Sequence, residues 1–279
     1  MSRRFIWIAA TVTLAFLAAG IWSAVVLLQP APPRTVVMTT GPEGSAFAEF
    51  AYRYREVLAR EGFELRLLPS AGAVENLERL NDGRAGVSVG FVQGGISGNG
   101  PSHEVYSLGT VSYQPLWFFY RDVDLKEGLK AFQGKRISIG APGSGGRALA
   151  SELLKRNGVD ASLAEWLPYN PLEAQDKLLA GEIQAVLIVT SWDSPVVQRL
   201  LTAEDVYLVS FQRADAYVAL YPYLNKLVLP QGVADLARNR PPADTLLLAP
   251  KASLAVRSDL HPAIQYLLLD AAEEVHSRP

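Results

Sequence analysis

Along the chain, apolar positions switch repeatedly between alternation and helical spacing. Residues 34–39 are rich in β-branched side chains and predict a strand, and 41–45 (Gly-Pro-Glu-Gly-Ser) predict a turn. Phe47, Phe50, Ala51, Tyr54 and Leu58 then recur at helical spacing. Residues 63–68 alternate as a strand, and Val74, Leu77 and Leu80 mark a second helix that closes at Gly83. Residues 86–92 predict the next strand. Strands separated by helical patterns point to parallel βαβ units and an α/β fold.

The same order returns about a hundred residues later. Residues 136–140 predict a strand and 141–146 a turn. Ala148, Leu149, Leu153 and Leu154 form a helix face that ends at Asn157-Gly158. Asn170-Pro171 reads as an N-cap followed by proline in the first helical position. Leu178 and Gly181 close that helix, and 183–189 is a nearly unbroken apolar strand, as expected of a strand buried on both faces. Pro42 and Pro142 correspond, as do Gly83 and Gly181, so the chain reads as two similar βαβαβ lobes. Ligands of open α/β sheets sit beyond the carboxyl ends of the strands. Two facing lobes therefore predict a cleft lined by residues 41–45, 70–76, 142–147 and 190–193. Lobe one is expected to comprise residues 34–115 with 219–279, and lobe two residues 116–218. The crossings are expected near 113–121 and 211–221.

Ahead of the lobes lies a different pattern. Arg3 and Arg4 precede an uncharged run over residues 5–28. As a helix it would extend about 36 Å at roughly 1.5 Å per residue, against a hydrocarbon core of about 30 Å. Arginines before it predict that residues 1–4 are cytoplasmic and the bulk extracytoplasmic, a single-pass protein of the cell membrane facing the periplasm. The rival reading is a cleaved signal peptide, with Ala18-Ala19-Gly20 as the cleavage site. Residues 29–33 (Gln-Pro-Ala-Pro-Pro) predict a stiff spacer.

Composition removes several function classes. A net charge of −2 gives no basic face for nucleic acid. The chain has no cysteine, which excludes disulfides, thiolate nucleophiles and Cys-ligated zinc. His103, His261 and His276 show no metal-binding spacing, so no metal or cofactor is expected. Ser191-Trp192-Asp193 has no histidine near it in sequence to suggest a triad, and no acid–base pair stands out. An enzyme is not expected. The glycine-rich stretch 94–100 lacks a dinucleotide-binding spacing.

The turn at 140–147 resembles a phosphate loop only superficially, because Gly145 is followed by Gly146 and Arg147 in place of Lys-Ser/Thr. It still suits an anion. A glycine turn entering a helix presents free N–H groups at the positive end of the dipole. Ser144 adds a hydroxyl, Gly145 a backbone donor, and Arg147 a planar fork matched to a carboxylate. Alternatively, Ser144 merely caps the helix and Arg147 meets solvent. Gly41, Gly44 and Ser45 repeat the turn in lobe one, where Glu43 either holds a ligand amino group or complements the helix dipole. Ser70 and Asn76 are candidates from the second segment, Asn76 as a ligand contact or as a cap. Gln93, Ser191 and Trp192 are candidates at strand ends, and Trp117 and Tyr113 join Trp192 on the expected cleft wall. Each aromatic reads equally well as core.

Five stretches carry a family resemblance. They are Thr40-Gly41-Pro42-Glu43-Gly44-Ser45, Ala71-Gly72-Ala73-Val74-Glu75-Asn76-Leu77, Gln114-Pro115-Leu116-Trp117, Gly134-Lys135-Arg136-Ile137-Ser138-Ile139-Gly140 and Gly143-Ser144-Gly145-Gly146-Arg147. In this order the chain resembles the TAXI-type solute receptors of TRAP transporters. It departs where Gln114 stands for a usual glutamate and Ala73 for a usual serine, and in its N-terminal anchor. The resemblance implies a two-lobed periplasmic-binding-protein type II fold preceded by an N-terminal transmembrane helix. It further implies a hinged cleft for a small molecule, a carboxylate or amino acid, and a TRAP-type membrane permease as partner, with the lipid bilayer contacted through the N-terminal helix. Similar anchored relatives continue into further C-terminal hydrophobic segments, so a truncated version of such a receptor is one expectation. The alternative function is an anchored sensory or scaffolding domain on the same fold.

Overall fold

The computed structural model describes residues 3–27, 32–96 and 104–277. Met1 and Ser2, residues 29–31 of the expected spacer, His103 and most of the 94–100 stretch lie outside the described residues.

The first unit of the chain is helix α1 (Arg3–Leu27). Its described side chains, at 7–8 and 10–23, are exposed, Trp7 and Trp22 among them. Among the described residues no helix is long and apolar enough to cross a membrane.

The second unit, residues 34–279, carries the sheet. Its first part runs β1 (Thr35–Thr39), α2 (Ala46–Arg60), β2 (Glu64–Leu68), α3 (Ala73–Asn81), β3 (Val89–Gln93) and β4 (Val105–Tyr113). The next part runs β5 (Leu116–Tyr120), β6 (Arg136–Ser138), α4 (Gly145–Arg156), β7 (Glu165–Leu167), α5 (Pro171–Leu179) and β8 (Ala185–Val189). The chain then passes through α6 (Pro195–Thr202), β9 (Tyr207–Leu208), α7 (Ala214–Leu220), β10 (Leu224–Leu229), β11 (Thr245–Arg257) and α8 (Pro262–His276).

The strand order is β2-β1-β3-β11-β5-β8-β6-β7. The triplets β2-β1-β3 and β7-β6-β8 are both parallel and have the same internal order. The sequence repeat is therefore a structural one. Local chemistry sets the helix starts: Ser45, Ser144 and Asn170 each accept a backbone N–H at the N-terminus of α2, α4 and α5. Gly181 ends α5 at φ +75°, where a side chain would be strained. Gly83 instead opens a short 3-10 turn, and the left-handed position falls on Gly86.

Each half has its own core. In the first, Met38, Tyr54, Leu58, Phe91, Leu254 and Leu268 meet between the sheet, α2 and α8. In the second, the period of two splits β5 and β8 between faces. Phe118 and Leu187 pack with α4 on one side, and Trp117, Val186 and Ile188 with α5 and α6 on the other.

The strand pairing divides the chain differently from the sequence expectation. Residues 224–229 pair with 245–250, and Leu224 and Leu248 lie in the core that holds Phe118. This stretch therefore completes the second half, not the first. Residues 211–221 do not return to the first half either. They carry α7, with Phe211, Ala214, Tyr217 and Tyr221 in the same core. The return happens inside β11, whose 13 residues pair with β10 up to Pro250 and with β3 and β4 from Lys251 onward. Proline has no N–H to give a ladder, so it sits where the partner changes.

Candidate functional site

The C-terminal ends of β1 and β2 in one half, and of β6 and β8 in the other, lead into the four segments expected to line the cleft. In the first half, a methyl group on Gly41 would lie 2.5 Å from Ser45 Oγ, so a side chain there would displace the serine that caps α2. Gly44 has φ +75°. Ser45 Oγ accepts from Ala48 N at 3.3 Å and caps α2.

Asn76 is fully buried and spends its amide on protein groups. Its Nδ2 donates to the carbonyls of Thr40 and Phe91, and its Oδ1 accepts from Thr39 Oγ1 and Ser70 Oγ, both at 2.6 Å. Ser70 Oγ also accepts from Gly72 N at 3.1 Å. Asn76 thus ties β1, β3 and the turn before α3 together, and Ser70 braces that turn. Glu75 accepts from Ala71 N at 2.6 Å and pairs with Arg79.

In the second half, Ser144 Oγ accepts from Arg147 N at 3.1 Å and donates to the Ala141 carbonyl at 2.7 Å. Arg147 Nη1 donates to the Gly140 carbonyl at 2.9 Å. Here the serine is a cap and the arginine closes its own turn, and among the described residues the remaining nitrogens of the guanidinium have no hydrogen-bond partner. Trp117 is core: it is buried, and its Nε1 donates to the Thr190 carbonyl at 3.0 Å. Trp192 is half-buried, with its ring 6.0 Å from that of Trp117. Ser191 beside it is half-buried. Tyr113, at the end of β4, is 48% exposed and pairs with Lys251.

The two halves meet directly. Gln93 Nε2 donates to the Gly145 carbonyl at 3.2 Å. A methyl group on Gly72 would lie 3.3 Å from Ser144 Cα, and one on Gly143 would lie 3.0 Å from Ala71 Cβ. The Glu75 N–H approaches the Gly143 carbonyl at 3.4 Å. The structure therefore brings together Gln93, the turn before α3 and the turn before α4. Gly41, Gly44 and Ser45 stay in local turn geometry. Tyr223 packs against Gly94 and Gly95, and burial raises the pKa of its phenol.

The sequence marks Gln114 only as a departure from a usual glutamate and gives it no place in the site. It is buried, it follows the exposed Tyr113, and its Nε2 has no hydrogen-bond partner. The signal available was a lone polar residue before an apolar strand. The described cavities, of about 470, 500 and 620 Å3, open elsewhere, the first beside Tyr120, Tyr207 and Arg240. Among the described residues no cluster of three or more His, Asp or Glu could hold a metal ion. His261 Nδ1 accepts from Ala263 N and caps α8.

Residues 54–275 match the NMT1-like family. No curated protein matches the chain by sequence. Solved structures do match in fold. A protein of Bordetella bronchiseptica RB50 is 15% identical with a TM-score of 0.56, over 88% of this chain and 72% of that one. The effector-binding domain of a BenM variant is 13% identical with a TM-score of 0.53, over 88% and 95%. An ancestral arginine-binding protein, bound to arginine, is 16% identical with a TM-score of 0.51, over 88% and 93%. At these identities the likeness is one of fold: mixed α/β with a curled sheet, as in type II periplasmic binding proteins.

Proposed function

The chain belongs to the NMT1-like family, and on that premise we propose that it is a solute receptor whose two halves close on a small molecule without transforming it. The observation that carries the reading is the facing of two like units, β2-β1-β3 and β7-β6-β8, across the contact of Gln93 with Gly145. Strand ends and helix starts converge there from both sides, an arrangement that presents backbone N–H groups to a ligand. The arginine-binding neighbour supports a solute as the occupant.

The finer reading is a small carboxylate or amino acid, met by the turn at Ser144, Gly145 and Arg147 and delivered to a TRAP-type permease. In this reading the run at 5–28 anchors the protein in the cell membrane and the bulk works in the periplasm.

A thermal-shift panel of amino acids, dicarboxylates and sulfonates on the purified full chain tests it. A bound solute raises the unfolding midpoint by mass action, and Arg147→Ala lowers affinity about tenfold or more if its free nitrogens meet a carboxylate. Retained affinity in Arg147→Ala would remove the anion site. A second reading, an anchored sensory or scaffolding domain, is favoured by the contact already made between the halves. In its scaffolding form, with a vestigial cleft, it predicts no shift with any solute of the panel.

A further inference from the structure

Residues 112–116 carry the chain from the first half of the sheet to the second. Ser112 pairs with Ala252, Tyr113 with Lys251 and Leu116 with Leu248. Between them Gln114 N donates to the Pro250 carbonyl at 3.1 Å, and the Pro115 carbonyl accepts from Thr190 N at 3.3 Å. Gln114 is thereby held between β11 and the residue that follows β8. On the other side of β11, Ala252 also pairs with Gln93, the last residue of β3. Gln93 in turn bonds to Gly145, the first residue of α4. The junction thus lies among the C-terminal ends of β3 and β8 and the start of α4.

Three buried polar atoms on the segments that pair with β11 around Pro250 have no hydrogen-bond partner among the described residues. Gln114 is only 5% exposed and its Nε2 makes no hydrogen bond. Ser112 Oγ is buried and makes none, nor does Nδ2 of Asn225, which pairs with Ala249. Buried amides nearby are satisfied: Asn76 uses both ends of its amide, and Gln93 donates across the halves. A bare donor in the interior is costly, and sites that bind ligands are where such costs are tolerated.

Resting on the solute-receptor reading above, we propose that Gln114 and Ser112 form the floor of the solute site and donate to an acceptor oxygen of the ligand. The chemical class follows from the donors. The amide N–H can only donate, a demand that a carboxylate or carbonyl oxygen fills and an ammonium group does not, and the Ser112 hydroxyl can donate beside it. Gln114 then sets specificity for the acceptor end of the ligand.

The test uses the full chain with succinate and L-glutamate as acceptor probes and 1,4-diaminobutane as the cationic control, read by calorimetry and by unfolding midpoint. Gln114→Met keeps the length and removes the donor. It is expected to raise the midpoint without probe, because a bare polar group leaves the interior, and to weaken the bound carboxylate at least tenfold. Ser112→Ala is expected to weaken it several-fold. Gln114→Glu reverses the polarity, losing the carboxylates and gaining the diamine. A Gln114→Met protein with a lower midpoint and unchanged affinity overturns the proposal, with the receptor reading left standing. Wild-type protein that binds neither carboxylate overturns the proposal, and the receptor reading falls with it only if no solute of the wider panel shifts the midpoint. If Gln114→Met does not fold, Gln114→Asn, which withdraws the amide by one methylene, replaces it. Unchanged carboxylate affinity in both Gln114→Asn and Ser112→Ala then overturns the proposal.

Discussion

The Nε2 of Gln93 reaches the carbonyl of Gly145 at 3.2 Å, joining the last residue of β3 to the first residue of α4. Two elements that begin in different halves of the sheet are coupled by this one bond. A methyl group on Gly145 would lie 2.6 Å from Gln93 Oε1 and 3.2 Å from Ala73 Cβ.

Gly145→Ala is therefore a wedge. The Gln93 amide is the end of a flexible side chain, so it yields and its bond is lost. One hydrogen bond is worth about 1 kcal/mol, and alanine in place of helical glycine returns roughly 0.5–1 kcal/mol. The unfolding midpoint should stay near that of wild type while small-angle scattering shows a larger radius of gyration. A scattering profile that overlays the wild-type one would contradict this.

Asn76→Asp should be costly. The substitution replaces the amide that donates to Thr40 and Phe91 with a second acceptor, leaving two buried carbonyls facing a carboxylate. Each unmet buried group costs about 1–3 kcal/mol. Urea unfolding should show a loss of about 3 kcal/mol. A loss under about 1 kcal/mol would mean that the network is not structural.

His276 gives the first half an acid sensitivity. Its ring packs 4.6 Å from Phe50 and 5.8 Å from Tyr54, and its Nε2 has no partner. Burial, aided by the charge of Arg53, pushes its pKa from 6.5 down to about 4. The unfolded chain takes up the proton near 6.5 and the folded one only near 4. The stability this histidine contributes is therefore complete above pH 6.5 and is lost as pH falls toward 4. His276→Phe should flatten the wild-type decline in urea midpoint across that window. Parallel curves for the two proteins would show that other groups cause the decline.

The N-terminal run makes its own prediction. Expressed in a bacterial host, the full chain should sediment with membranes, resist carbonate extraction and begin at Met1 or Ser2. A soluble protein beginning near Ile21 would instead establish a cleaved leader.

Much of the fold was legible because short-range chemistry and long-range pattern agree. Ser45, Ser144 and Asn170 announce the helix starts they cap, and the all-apolar 185–189 stretch announces a strand buried on both faces. β4 was hidden because its residues are mostly exposed and alternate weakly. β11 was hidden because Pro250 and Lys251 interrupt its pattern where its partners change. At the site, residue type suggested Asn76 and Ser144, but only the structure shows that their polar atoms already bond to neighbours. Gln114 stood out in the sequence only as a replacement for a usual glutamate, and its place in the site was hidden for the converse reason. Nothing in a sequence distinguishes an amide that is satisfied from one that is not.

The sharing of β11 bears on how the chain is made. Residues 251–257 supply the strand that lies between β3 and β4, yet the ribosome releases them after every strand of the second half. Until then β3 has a bare edge along Val89–Gln93, with Phe91 lacking the Leu254 that later covers its core. A nascent chain stalled before residue 251 would therefore display an unpaired, apolar strand edge, the kind of surface that chaperones bind and that pairs wrongly with neighbours. The last strand to emerge is the one that joins the two halves and completes the first.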